Sequence, residues 1–135
     1  KEVLGLRVTM DLGANVTLTG GVALQTQESW CEFISKDLQS ISFGGNAAEL
    51  YFEEDKFDDF LKKLAAIKGI FYVHPVQQYS WGQRVIRFYD PDFHILEVGE
   101  NMKSVCRRFL DSGMTIEAAA VRMNVPEKFV RACVR

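Results

Sequence analysis

The chain is poor in the residues that most often build metal and redox sites. It has only two histidines, His74 and His94, so a three-histidine zinc site is excluded. Its three cysteines, Cys31, Cys106 and Cys133, are an odd number without C-x-x-C spacing. That speaks against a disulfide framework and for reduced thiols in a cytoplasmic protein. No apolar run approaches the roughly 18 residues that a membrane span needs, and no signal-peptide pattern opens the chain. A strong excess of one charge is lacking too. The formal net charge is −2, so the chain as a whole is expected neither to coat nucleic acid nor to lie on a membrane.

What is present suits one domain. The 135 residues are 47% hydrophobic and 12% aromatic, ample for a core. The charge is unevenly divided. Residues 101–135 hold seven Lys/Arg and three Asp/Glu, a net of +4, while the first 100 hold nine and fifteen, a net of −6. The asymmetry sets the C-terminal segment apart as a candidate for a job of its own.

Along the chain, Val3–Met10, 16–19 and 22–26 predict three short strands separated by turns at Gly13–Asn15 and Gly20-Gly21. Residues 28–34 predict one or two helical turns, followed by a loop to Asn46. The run 48–53 predicts another strand. Asp55 is placed to cap the helix that follows. Phe57, Phe60, Leu61, Leu64 and Ile67 recur at three- and four-residue spacing and predict an amphipathic helix over 56–67, ended by Gly69. A strand over 70–73 and a hairpin over 83–98 complete a strand-helix-strand-strand-strand unit. Residues 100–135 predict three helices, about 101–111, 115–123 and 126–134, with Thr115 as a cap and Pro126 in the first turn of the last.

The most informative stretch is Trp81 to Glu100, WGQRVIRFYDPDFHILEVGE. Asp90-Pro91-Asp92 is a turn with a mechanism: Pro91 fixes φ, and an Asp side chain bonds nearby backbone. Two β-prone runs flank it. Glu97 sits within the second, where a buried carboxylate is costly without water, a partner or a metal. Turn and embedded acid together resemble the closing hairpin of the vicinal oxygen chelate superfamily, which includes glyoxalase I, the bleomycin-resistance proteins and the extradiol dioxygenases.

The resemblance covers about residues 1–100 and implies an α+β fold of paired βαβββ units around a shared cavity. The first unit is expected to lack its first strand and helix, and residues 101–135 form a helical extension. It also implies a small-molecule ligand, and in some members a divalent metal that chelates vicinal oxygens and stabilises an oxyanion. Glu97 lies where such members take a metal ligand. Glu49 lies where they usually carry His, a departure, and a Glu/Glu pair needs a third group. Both acids are therefore candidates for ligand contact, and for metal contact if a metal is held.

The remaining candidates each carry a plainer alternative. Arg84 and Arg87 are three apart on one strand and face opposite sides. One can enter the cavity to hold an anion, or neutralise Glu97 or Glu49. Trp81 is either rim packing or an aromatic wall for a planar ligand. Gln25 and Gln27 suit substrate contact or a plain surface role. His74, before Pro75 at the end of a strand, either borders the cavity or, the expected role, lies at the surface, and His94, beside the turn, is expected at the surface. None of the cysteines is paired with a base, and Cys106 and Cys133 fall at apolar helix positions. No catalytic residue and no substrate is assigned.

Residues 116–131 resemble a helix-turn-helix, with Arg122, Lys128, Arg131 and Arg135 as the side chains that would meet phosphates. Base-reading side chains are sparse there, so nucleic acid is not the expected partner. A helical hairpin that covers a sheet edge or builds a homodimer is the expected role. Three functions stay open: a small-molecule binding protein or enzyme, a metal-dependent lyase, isomerase or dioxygenase using Glu97, and a ligand-sensing regulator.

Overall fold

A computed structural model describes residues 1–134, so Arg135 lies outside the described residues. The chain forms two compact units, Lys1–Gly45 and Asn46–Arg135.

The first unit is an antiparallel three-stranded meander, β1 (Val8–Asp11), β2 (Asn15–Leu18) and β3 (Ala23–Gln25), followed by α1 (Gln27–Ile34). Gly20 and Gly21 make the β2–β3 turn at φ +83 and +79, a conformation that glycine adopts without steric cost. Asn15 stands opposite Gln25 and donates to its side-chain oxygen at 2.7 Å. Gln25 donates in turn to Ser29 Oγ at 2.5 Å. Its amide therefore ties strand to helix within this unit. Gln27 is the first residue of α1, whose N-cap is Thr26.

The second unit opens with β4 (Glu49–Glu54), α2 (Phe57–Ala66), β5 (Tyr72–Gln78), β6 (Arg84–Tyr89) and β7 (Ile95–Glu100). The sheet order is β4-β7-β6-β5, with β4 parallel to β7 and the other pairs antiparallel. This is the expected βαβββ unit. Strand alternation divides its side chains between two faces. Ile86 and Phe88 stand opposite Val98 and Leu96, and all four are buried. Phe57, Phe60 and Leu64 of α2 are buried too, and the Phe60 and Phe88 rings lie 6.5 Å apart. Burying each such side chain contributes about 1.5–3 kcal/mol. Arg87, Glu97 and Tyr51 are in register on the opposite face.

Two local expectations are corrected. Asp55 does not cap α2; the residue at that position is Lys56, which makes no side-chain capping bond, and acids at 58 and 59 supply the favourable charge in the first turn. The strand expected at 70–73 runs instead through Pro75 to Gln78. β5 is an edge strand with register shifts on either side of His74, and proline is tolerated at such a place. In the closing turn, Asp90 Oδ1 accepts from the backbone N–H of Asp92 and of His94, both at 2.9 Å.

Three helices follow: α3 (Met102–Asp111), α4 (Ile116–Met123) and α5 (Glu127–Cys133). Thr115 caps α4 as expected, accepting from Ala118 N–H at 3.1 Å. Asn124 ends it in the left-handed region, φ +53. Val105, Cys106, Ala119, Ala120, Met123, Val130 and Cys133 form a core of their own. Alanines at 119 and 120 let the helices cross closely.

Candidate functional site

β4, β5, β6 and β7 converge on Arg87. Its Nε donates to Glu49 Oε2 at 2.7 Å, and one terminal nitrogen donates to Glu97 Oε2 in a still shorter contact. The other donates to Tyr79 Oη at 2.6 Å and lies 3.3 Å from His74 Nε2. His74 Nδ1 is 2.7 Å from the Pro75 carbonyl, so the tautomer protonated at Nδ1 satisfies both ring contacts. Glu97 is buried, and Arg87 supplies the partner that a buried carboxylate requires. Of the two arginines, Arg87 holds both acids. Arg84 faces the other way, bridging Asp58 at 2.8 Å and Glu100 at 2.7 Å.

An aromatic wall stands beside this cluster. Tyr79 and Trp81 stack at 4.5 Å with 17° between planes. Trp81 Nε1 donates to Gln83 Oε1 at 3.0 Å. Gln83, itself buried, donates to Tyr51 Oη at 2.8 Å and to the Glu100 carbonyl at 2.9 Å. Tyr51 Oη donates in turn to Glu53 Oε1 at 3.1 Å. The face thus holds three carboxylates, one guanidinium and three aromatic rings.

The charges bias one another. Arg87 holds the Glu49 carboxyl below the usual range, against its modest burial. Glu97 is pushed the other way, first by burial and then by neighbouring Glu49, which outweigh Arg87. Burial, with Glu53 and Glu97 nearby, pushes the Tyr51 hydroxyl up to about 12 against the Gln83 hydrogen bond.

A divalent ion does not fit this donor set. Glu49 and Glu97 do come together, as their candidacy as metal ligands requires, but the seat between them is filled by a guanidinium with a permanent charge. Among the described residues no group of three or more His, Cys, Asp or Glu is arranged to hold a metal. His94 lies away on the turn, 2.9 Å from Asp90.

Sequence reasoning missed several members. His74, expected at the surface, reaches Arg87. Tyr79, Tyr51, Gln83 and Glu100 were not candidates. A usable signal for Glu100 was present: Arg84 and Arg87 have the same spacing as Glu97 and Glu100, so antiparallel pairing that sets Arg87 opposite Glu97 also brings Arg84 to Glu100. In the tail, Arg131 is held by Glu127 at 2.9 Å and Glu117 at 3.7 Å, and Arg122 lies over the Phe109 ring.

The βαβββ unit, with a buried acid on its closing strand, fits the glyoxalase/bleomycin-resistance/dioxygenase superfamily. The family model for the glyoxalase-like domain matches residues 1–103. A protein of unknown function from Agrobacterium tumefaciens str. C58 is 36% identical, with 73% of this chain and 77% of that one covered and a TM-score of 0.63. A glyoxalase-related enzyme from Fulvimarina pelagi shares the fold at 17% identity, 75% and 74% coverage and a TM-score of 0.61. A lactoylglutathione lyase from Agrobacterium tumefaciens does so at 22% identity, 75% and 79% coverage and a TM-score of 0.56. No curated protein matches. The chain belongs to the glyoxalase-like domain family. Among the described residues no helix is long and apolar enough to cross a membrane.

Proposed function

We propose that this protein binds a small organic molecule on the face formed by Glu49, Arg87, Glu97 and the Tyr79–Trp81 wall, and that it does so without a resident metal. The single observation behind the proposal is the Arg87 fork bridging Glu49 and Glu97 beneath that wall. The guanidinium N–H groups are spent on protein acceptors, so orientation of a ligand falls to the acceptor oxygens of Glu49, Glu53 and Tyr51 and to the ring faces. A planar ligand bearing hydrogen-bond donors matches that surplus. A metal-dependent lyase, isomerase or dioxygenase using Glu97 is the weaker alternative, because Arg87 stands where the ion would. No DNA contact is placed on the tail, where Glu117 and Glu127 already engage Arg131. The same proposal has the chain acting as a homodimer, supported by apolar side chains left exposed on strands, such as Val8, Met10, Leu24 and Leu50.

The test is a fluorescence titration of a Trp30→Phe variant, leaving Trp81 as reporter, against a panel of planar amines, amides and acids. Saturable quenching by a donor-bearing compound, weakened by Glu49→Gln and unaffected by EDTA, is expected. Absence of saturation across the panel sinks the proposal. Metal that copurifies stoichiometrically and disappears in Glu97→Ala would restore the metal-dependent alternative. Sedimentation analysis checks the dimer.

A further inference from the structure

The turn that carries Tyr79 and Trp81 is gripped from the C-terminal helices. Arg108 on α3 donates to the Gly82 carbonyl at 2.6 Å. The same guanidinium reaches Glu100 Oε1 at 2.7 Å and Oε2 at 3.1 Å. Phe109, the next residue, points the Cζ end of its ring at Gly82, where a Cβ would collide with it. Gly82 has φ +87, a conformation suited to glycine alone among the residues of the turn. The Arg122 guanidinium sits 6.0 Å over the Phe109 ring and carries the contact on into α4.

That grip is passed straight to the aromatic wall. Gly82 N–H donates to the Tyr79 carbonyl at 2.9 Å, and Tyr79 N–H donates to the Gln83 carbonyl at 2.9 Å. Fixing Gly82 therefore fixes the backbone of Tyr79, Trp81 and Gln83 together. A turn this short has no core of its own, so its order depends on what it is packed against. Both gripping residues lie beyond the span 1–103 matched by the family model.

We propose that Arg108 and Phe109 are positioning residues for the ligand site, and that the C-terminal helices buttress its aromatic wall from behind, setting the Tyr79–Trp81 stack through Gly82. The proposal rests on the ligand-binding role given above. Arg108 fits the task because one planar fork serves a carboxylate and a carbonyl at once, which a lysine ammonium does poorly. Sites held by such supporting contacts lose affinity when the support is loosened, even though no ligand contact is removed.

The experiment uses the full chain with Trp30→Phe, so that Trp81 alone reports. Arg108→Ala, Arg108→Gln, Arg108→Lys and Phe109→Ala are compared with Lys128→Ala, an exposed tail substitution that does not touch the turn. Acrylamide quenching of Trp81 and binding of proflavine, a planar dye that carries amino donors, are measured on each variant whose circular dichroism shows it folded. Arg108→Ala is expected to raise the quenching constant about twofold and weaken the dye by a similar factor, with Arg108→Lys between and Lys128→Ala unchanged. Arg108→Gln keeps one donor and serves if the alanine variant does not fold. Quenching unchanged in every folded Arg108 and Phe109 variant overturns the grip. Looser Trp81 with undiminished dye binding overturns its link to the site. No dye binding by the parent, with Trp81 still loosened by Arg108→Ala, overturns the ligand-site role while leaving the contact itself in place.

Discussion

Arg87 and Glu97 stand directly opposite one another on β6 and β7, and their ion pair is the point at which the whole candidate site meets. Arg84 and Glu100 repeat the arrangement on the other face of the same hairpin. One turn thus sets two arginine–glutamate pairs, one under the aromatic wall and one under α3.

Removing Arg87 leaves two acids without a counter-charge, one of them buried. Arg87→Ala is expected to cost roughly 3–5 kcal/mol of stability. Adding Glu97→Gln to that variant should recover a good part of the loss. Urea unfolding of the two variants checks this, and a double variant no more stable than the single one would count against the pairing.

The two buried glutamates should respond to pH in opposite senses. Burial alone would raise Glu100, but Arg108 and Arg84 prevail and hold it below its ordinary 4.5. A depressed folded value contributes stability above the unfolded value and loses it as pH falls through the folded one. Glu97 is raised above 4.5, chiefly by burial, so its contribution is present below that value and is lost as pH rises through the folded one. Glu100→Gln should therefore be costly at neutral pH and less so in acid, while Glu97→Gln should gain on the parent as pH rises. Urea midpoints from about pH 4 to pH 8 decide it. Parallel profiles for the two variants would be the wrong result.

Cys106 is buried in the core of the tail, and burial together with Cys133 pushes its thiol up to about 12. The thiolate is the reactive form, so Cys106 should resist iodoacetamide near neutral pH until the tail unfolds. Mass spectrometry with and without urea measures this. Rapid labelling of the native protein would show that the three-helix core opens readily.

Asn124 takes left-handed geometry between α4 and α5. Asn124→Gly should be nearly neutral, and Asn124→Val, a branched side chain at positive φ, should cost about 1–2 kcal/mol. Thermal melts of both check the turn. Equal stability of the two would mean that the tail does not need it.

Local order was legible in the chain. The spacing of Phe57, Phe60 and Leu64 gave α2 its buried face, and Asp90 made its turn by bonding backbone two and four residues on. Where the sequence misled, a neighbour overrode a local preference. Pro75 did not end β5, because an edge strand tolerates a residue without N–H. Asp55 yielded the capping position to Lys56. His74 looked like a surface residue because nothing nearby in sequence explains its contact with Arg87, 13 residues away.

The sequence by itself determined the βαβββ unit, the closing hairpin and the opposite facing of Arg84 and Arg87, since all three follow from short-range periodicity and turn chemistry. Only the tertiary structure decided what those side chains meet. Glu49 reaches Arg87 across 38 residues because β4 pairs parallel with β7, a contact between distant parts of the chain that no local pattern encodes. The grip of Arg108 on Gly82, 26 residues away, is of the same kind. Whether a carboxylate pair holds an ion or an arginine depends on which cation the fold brings between them, and here the packing of four strands brings Arg87.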